Sequence, residues 1–129
     1  MNGYLLDTHA AIWFFNGDNE LSETANRIIR DFSNPIYLSV VSAWELAIKI
    51  NIGKLNFAGR AAGFLRLAET NKIDIIPIKS DHLTALEALP LIHRDPFDRL
   101  LIATAIAEQM TLITIDENIA KYNVPLIWK

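Results

Sequence analysis

Short apolar runs alternate with amphipathic stretches along the whole chain. The apolar runs, rich in Ile, Leu and Val, predict strands at 4–7, 36–42, 73–78, 111–116 and 125–128. The stretches between them predict helices at 8–17, 21–33, 43–53, 58–71, 80–89 and 96–110, with a short one at 117–122. Alternation of strands and helices is typical of βαβ units. We therefore expect an α/β fold with a mostly parallel sheet of about four to five strands.

Residues that commonly begin helices mark several of the predicted boundaries. Ser22, Ser80 and Asp95 each stand where a side-chain oxygen could cap the first turn of a helix. Pro96 directly follows Asp95 and suits the first helical position, where its missing N–H has no partner to lose. The helix predicted from Pro96 onward, PFDRLLIATAIAEQM, has the clearest helical pattern in the chain.

Composition predicts one globular domain over residues 1–129, because 51% of the residues are hydrophobic and 21% are charged. No apolar run approaches the roughly 18 to 20 residues that span a membrane. The start, MNGYLLDTHAAIWFF, has no basic leader, so we expect no signal peptide. The lack of cysteine excludes disulfides, zinc–thiolate sites and thiol nucleophiles, and agrees with a cytoplasmic protein. With a net charge of −3, the protein would need a local basic rim or a partner to bind nucleic acid.

Four acidic residues follow predicted strands or begin predicted helices: Asp7, Glu45, Asp98 and Asp116. Because the carboxyl ends of parallel strands and the starts of the following helices share one edge of the sheet, the four carboxylates could meet there. Each also has a simpler interpretation as a helix cap or as an acid favoured by the helix dipole. The segment SAWE, from Ser42 to Glu45, even matches a capping box. Taken singly, capping is the more common role.

The surroundings of Asp98 favour chemistry over capping. On a helical wheel Leu101, Ile102 and Ala105 share its face, so Asp98 projects from an apolar stripe. A carboxylate there needs partners, because burying an unpaired charge is very costly. Asp95 precedes the helix and can cap it without entering the stripe. Clustered carboxylates repel one another, and Mg²⁺ or Mn²⁺ removes that penalty. This pattern predicts metal-assisted hydrolysis of a phosphodiester.

Four segments together resemble the PIN-domain ribonucleases, and more narrowly the VapC toxins of VapBC toxin–antitoxin modules: LLDTHAAIW, SVVSAWELAIK, HRDPFDRLLIATA and LITID. The resemblance implies a three-layer α/β/α sandwich and an endoribonuclease that uses Mg²⁺ or Mn²⁺. It places the metal-binding and catalytic acids at Asp7, Glu45, Asp98 and Asp116. It also implies a homodimer and a small antitoxin that blocks the site.

The resemblance further suggests supporting residues around these acids. Thr8, Ser42 and Thr114 would supply hydroxyls beside the first, second and last acids, and Asp95 would be an additional acid. The segment DENIAKY, which begins at Asp116, lacks the asparagine and aromatic residue that often follow the last acid in the family.

Other polar residues have less specific interpretations. His9, His82 and His93 are isolated in sequence, so we interpret them as surface residues or as residues that support the site, because zinc sites need several convergent ligands. Arg94 and Arg99 flank the Asp98 segment and are candidate contacts for an RNA phosphate, although a solvated ion pair is the usual role of such an arginine.

Three other functions are compatible with parts of this pattern. A catalytically silent PIN-like module would bind RNA or a protein without cleaving. A receiver-type phosphoacceptor domain needs an acidic pair after the first strand, where this chain has only Asp7. A haloacid-dehalogenase-like phosphatase needs Asp-x-Asp where this chain has Asp7-Thr8-His9. The ribonuclease hypothesis uses all four acids.

Overall fold

A parallel sheet lies at the centre of the protein. The computed structural model describes residues 2–129, so Met1 of the predicted domain lies outside the described residues. The strands of this region are β1 (Tyr4–Leu6), β2 (Ile36–Ser39), β3 (Asp74–Ile76), β4 (Thr111–Ile113) and β5 (Leu126–Ile127). They lie in the order β3-β2-β1-β4-β5, and each pairs with its neighbours in parallel. The predicted α/β fold with a parallel sheet is confirmed.

Helices cover both faces of the sheet and complete three layers. They are α1 (Thr8–Asn16), α2 (Glu23–Arg30), α3 (Val40–Asn51), α4 (Arg60–Thr70), α5 (Ser80–Glu87) and α6 (Pro96–Glu108), with a 3-10 turn at Ile119–Lys121. Leu6 and Ile113 pack on one face with α1, α2 and α4, whereas Leu5 and Leu112 pack on the other with α6. Both faces are thus buried, which explains the continuous apolar runs. Within residues 2–129, no helix has the length and apolar character to cross a membrane.

The strand predicted at 36–42 is shorter than expected, because the next helix begins earlier. The side chain of Ser39 accepts a hydrogen bond from the backbone N–H of Val41 at 3.1 Å and caps α3. Ser42 therefore lies inside the helix, and the predicted capping box between Ser42 and Glu45 is wrong. Glu45 lies in the second turn of α3 instead of the first. Helix capping no longer explains why an acid stands at that position.

Two of the other predicted caps are confirmed and one is wrong. Ser22 accepts a backbone N–H bond at 3.1 Å at the start of α2. Asp95 accepts two backbone N–H bonds, at 2.8 and 3.1 Å, at the start of α6. Ser80 is the first residue of α5 and not its cap, because Lys79 occupies the cap position. The backbone N–H of Lys79 donates to Nδ1 of His82 at 3.1 Å.

Candidate functional site

The carboxyl ends of β1 and β4 lead directly to two of the four predicted acids. Asp7 follows β1, and Thr114 and Asp116 lie in the loop after β4. Glu45 comes from α3, which follows β2 and packs beside the start of α6, where Asp98 lies. The four acids thus occupy one edge of the sheet, because parallel strands end on the same side. Asp116 lies three residues beyond the end of β4, so it does not close that strand as predicted.

Asp7 stands at the cap position of α1, but its side chain makes no capping hydrogen bond. It is 5% exposed, and its Oδ2 accepts a hydrogen bond from the Thr114 hydroxyl at 2.8 Å. The Thr114 oxygen in turn accepts the backbone N–H of Asp116 at 3.0 Å. Burial raises the pKa of Asp7 and the charge of Glu45 raises it further, against the opposing effects of Thr114 and His9. Asp7 is therefore a buried acid whose side chain does not cap the helix.

Glu45 is held by a chain of side-chain contacts between α1 and α3. Its Oε1 accepts the Thr8 hydroxyl at 2.8 Å, and Thr8 Oγ1 lies 2.8 Å from Ser42 Oγ. Its Oε2 lies 2.6 Å from Lys49 Nζ, one helical turn away. Burial alone would lower the pKa of Lys49, but the hydrogen bond and charge of Glu45, with the charges of Asp95 and Asp98, raise it. The Thr8 hydroxyl thus contacts the second acid and not the first, beside which it was predicted, and Ser42 is linked to Glu45 through Thr8.

Asp98 is a partly buried acid that lies among other acids. Its side chain is 16% exposed, at the start of α6. Burial, with the charges of Asp7, Asp95 and Glu45, raises its pKa to about 7, while a hydrogen bond from His93 opposes the shift. The pKa of a carboxyl group is raised in this way when the group lies close to like charges in a poorly solvated environment. The structure therefore brings Asp98 together with Asp7, Glu45 and Asp95.

His93 connects Asp98 to Asp116. Its Nε2 lies 2.9 Å from Oδ2 of Asp98 and 3.3 Å from Oδ2 of Asp116. The loop that carries it is anchored by Tyr122, whose hydroxyl accepts the backbone N–H groups of Ile92 and His93 at 3.1 and 2.8 Å. The sequence did not predict that His93 contacts both Asp98 and Asp116, because the three histidines are isolated along the chain. The available signal was the position of His93 just before the capped helix that presents Asp98.

The remaining predicted candidates lie farther from the acids or at the surface. Arg94 is exposed in the loop before α6. The guanidinium of Arg99 donates to the backbone oxygen of Leu89 at 3.4 Å, and its Nε is buried without a hydrogen-bond partner within residues 2–129. His82 is fully buried, not at the surface, and its Nε2 lies 2.7 Å from Oε2 of Glu108.

The donor set of this edge suits a divalent cation. Ligand atoms of His93, Asp98 and Asp116 all lie within 4.8 Å of one another. Thr114 joins Asp116 to Asp7, and the pKa values of Asp7 and Asp98 are raised, first by burial and then by the charges of neighbouring acids. Carboxylate oxygens are the ligands that Mg²⁺ and Mn²⁺ prefer, and imidazole is also accepted by transition metals. The arrangement can therefore hold a cation whose charge relieves this repulsion.

Comparison with known proteins shows which family the chain resembles. The PIN domain family model matches residues 4–125. The chain is 30% identical over 127 residues to the Ribonuclease VapC22 of Mycobacterium tuberculosis, covering 97% of this chain and 95% of that protein. Among solved structures, VapBC2 from Rickettsia felis, bound to a promoter DNA fragment, is similar with a TM-score of 0.75, 20% identity and full coverage of both chains. VapBC from Salmonella typhimurium, also bound to DNA, has a TM-score of 0.67 and 14% identity over 98% of each chain. These two structural similarities concern the fold alone.

Proposed function

Because this chain belongs to the PIN-domain family and is related within it to the VapC ribonucleases, we propose that it is a metal-dependent endoribonuclease. It would hydrolyse RNA phosphodiester bonds at the edge of the sheet where Asp7, Glu45, Asp98 and Asp116 lie. The observation that carries the proposal is the grouping of His93, Asp98 and Asp116, whose ligand atoms all lie within 4.8 Å of one another. Burial and the charges of Asp7, Asp95 and Glu45 raise the pKa of Asp98 to about 7, so a divalent cation that neutralised these charges would be favoured there.

We propose Asp7, Asp98 and Asp116 as the residues that would hold Mg²⁺ or Mn²⁺, with Glu45 completing the acidic set. The chemistry that the ion supplies when bound is neutralisation of charge at the phosphate and activation of water. The ligand atoms of Asp98 and Asp116 are already close, and the Thr114 hydroxyl links Asp7 to the loop that carries Asp116. The choice between the two ions, and between one ion and two, stays open.

The neighbouring residues hold the acids in place before substrate arrives. Thr8 and Lys49 each bond one oxygen of Glu45, so its carboxylate has a defined orientation. Asp95 caps α6 and fixes the first turn, from which Asp98 projects. A site whose charged groups are already oriented needs little rearrangement when charge develops on the reacting phosphate. Arg94 stays a candidate contact for RNA.

Cleavage of end-labelled total RNA by the purified protein tests this proposal. We expect discrete cuts with Mg²⁺ or Mn²⁺, and none with EDTA or with the Asp7→Asn variant. The matched control is Asp74→Asn, because Asp74 is exposed at the amino end of β3, on the opposite edge of the sheet, and should cut like the wild type. Absence of metal-dependent cuts by the wild-type protein, freed of co-purifying partners, would favour the catalytically silent binding module.

We further propose that the protein is the toxin of a toxin–antitoxin pair in the cytoplasm, with a small antitoxin as its partner. The support is the similarity to VapC22 and to chains of VapBC complexes. Expression of the wild-type protein alone should arrest growth, whereas Asp7→Asn should not, and co-expression of the antitoxin should restore growth. The homodimer implied by the family stays a prediction that sedimentation of the purified protein would test.

A further inference from the structure

An exposed tryptophan lies at the rim of the acidic site. Trp44 on α3 is 54% exposed, although tryptophan is usually well buried. Its ring packs against Phe97 on α6, with ring centroids 5.0 Å apart and planes inclined by 77°. This edge-to-face contact orients the indole at the surface, because such aromatic pairs have a preferred geometry. Trp44 and Phe97 form what we call the aromatic rim.

The aromatic rim is connected directly to the acids. Trp44 precedes Glu45, and Phe97 precedes Asp98, so each aromatic residue adjoins one of the acids along its helix. Consecutive helical residues are turned by about 100° from each other. Glu45 is accordingly 2% exposed inside the site, while Trp44 lies outside at the surface. The exposed indole therefore lies on the helical turn that also carries Glu45, and its partner Phe97 lies on the turn that carries Asp98.

Charge makes stacking the more effective way to hold RNA here. Five acids surround the site, Lys49 pairs with Glu45 and Arg99 donates to a backbone oxygen, while Arg94 is exposed in the loop before α6. Phosphate contacts, which usually dominate the affinity of nucleic-acid binding proteins, must therefore compete here with repulsion from the acids. Base stacking on an aromatic side chain needs no positive charge and tolerates any base.

We propose that Trp44, held edge-on by Phe97, is a stacking platform for one unpaired RNA base next to the scissile phosphate. This inference rests on the proposed ribonuclease function and adds a residue that would position the substrate. Only an unstacked base can lie on an indole, so the contact requires an unpaired base beside the scissile phosphate. Stacking on Trp44 would add affinity for RNA that does not depend on positive charge, in a protein whose net charge is −3.

The binding test uses Trp44 itself as the reporter. Replacing the other two tryptophans, Trp13→Phe and Trp128→Phe, leaves Trp44 as the single indole, and Asp7→Asn prevents cleavage. Titration with a short single-stranded oligoribonucleotide that contains the cleavage site should quench the fluorescence of Trp44, and the matching duplex should not. An oligoribonucleotide with one abasic nucleotide beside the cleavage site should lose the quenching. Unchanged fluorescence with a strand that binds by a separate filter assay would overturn the proposal.

The kinetic test uses otherwise unmodified enzyme. Trp44→Leu should raise KM for single-stranded RNA by roughly fivefold to 150-fold, the effect of losing one stacked base, with kcat little changed, and Trp44→Phe should retain most of the affinity. The control is Phe32→Leu, because Phe32 is 70% exposed, but lies before β2 at the opposite edge. If the wild type cuts RNA and Trp44→Leu cuts it equally well, the platform is refuted while the ribonuclease stands. If Trp44→Leu instead loses only antitoxin binding, the rim is a protein-binding surface and the proposal is wrong.

Discussion

Two carboxylates at opposite ends of α6 lie in opposite electrostatic surroundings. Asp98 lies in the first turn, where burial and the charges of three other acids raise its pKa to about 7. Glu108 is the last residue of the same helix, and its pKa is lowered, chiefly by a hydrogen bond from His82 and also by Lys79. Glu108 Oε2 lies 2.7 Å from His82 Nε2 and 3.4 Å from Lys79 Nζ.

The helix dipole alone would lower the pKa of Asp98 and raise that of Glu108, the reverse of what the structure gives. An acid is favoured at the start of a helix and disfavoured at its end, yet Asp98 has the raised pKa and Glu108 the lowered one. Burial and neighbouring charges at Asp98, and the contacts with His82 and Lys79 at Glu108, therefore outweigh the dipole. The two acids therefore have different roles. Glu108 is paired in a way that stabilises the fold. Asp98 is held among like charges, which favours binding of a cation.

The largest effect is expected from removing one charge at the start of α6. Asp98→Asn should reduce RNA cleavage to the level seen with EDTA while the circular dichroism spectrum stays unchanged, because the amide keeps the size of the side chain and loses the charge. Without metal, the variant should melt at the same or a higher temperature, since repulsion is relieved. Unfolding of Asp98→Asn, with full activity in whatever folded protein survives, would instead support a purely structural role.

The stability of the metal-free protein should depend on pH in the way that the raised pKa of Asp98 requires. The ordinary pKa of 3.8 applies to Asp98 in the unfolded chain, and folding raises it to about 7. The native state therefore holds this proton more tightly, and stability should fall as pH rises from about 4 to about 7. Urea unfolding in EDTA should show this fall in the wild type and a smaller one in Asp98→Asn. Parallel curves for the two proteins would contradict the raised pKa.

At the other end of α6, loss of the acid should affect stability and not cleavage. Glu108→Ala leaves the fully buried His82 without its partner and should cost about 1–3 kcal/mol, whereas Glu108→Gln keeps an acceptor and should cost less. Because folding lowers the pKa of Glu108 below its ordinary 4.5, the contribution of its charge is present above pH 4.5 and is lost as pH falls through the lower folded value. Urea unfolding at several pH values, beside an RNA-cleavage assay, measures both effects.

The smallest effect is expected at Asp95, which has both roles. Asp95→Ala removes two capping bonds and should cost about 1 kcal/mol of stability. Asp95→Asn keeps the cap and removes one of the charges that raise the pKa of Asp98, so it should be close to neutral in denaturant unfolding. A large loss of cleavage at unchanged melting temperature in Asp95→Asn would show that Asp95 contributes to the chemistry directly.

Local sequence patterns were sufficient for the order of strands and helices and for two helix starts. Ser22 and Asp95 cap helices as predicted, because a cap depends on residues only two or three positions away. The same capping rule gave a wrong prediction at Ser42. Ser39 ends the strand sooner and caps the helix, and the Ser42 hydroxyl contacts Thr8, 34 residues away in sequence. Short motifs overlap, and packing decides which of two serines three residues apart caps the helix.

By itself, the sequence determined that acids follow strands and begin helices, and that parallel strands would bring them to one edge. Only the tertiary structure decided that His93 lies between Asp98 and Asp116, that His82 is buried against Glu108, and that Trp44 remains exposed beside the site. The physical reason is that exposure and pKa depend on distant segments, which supply the neighbouring charges and exclude the water. Composition and periodicity record neither, because they describe each residue only with its neighbours along the chain.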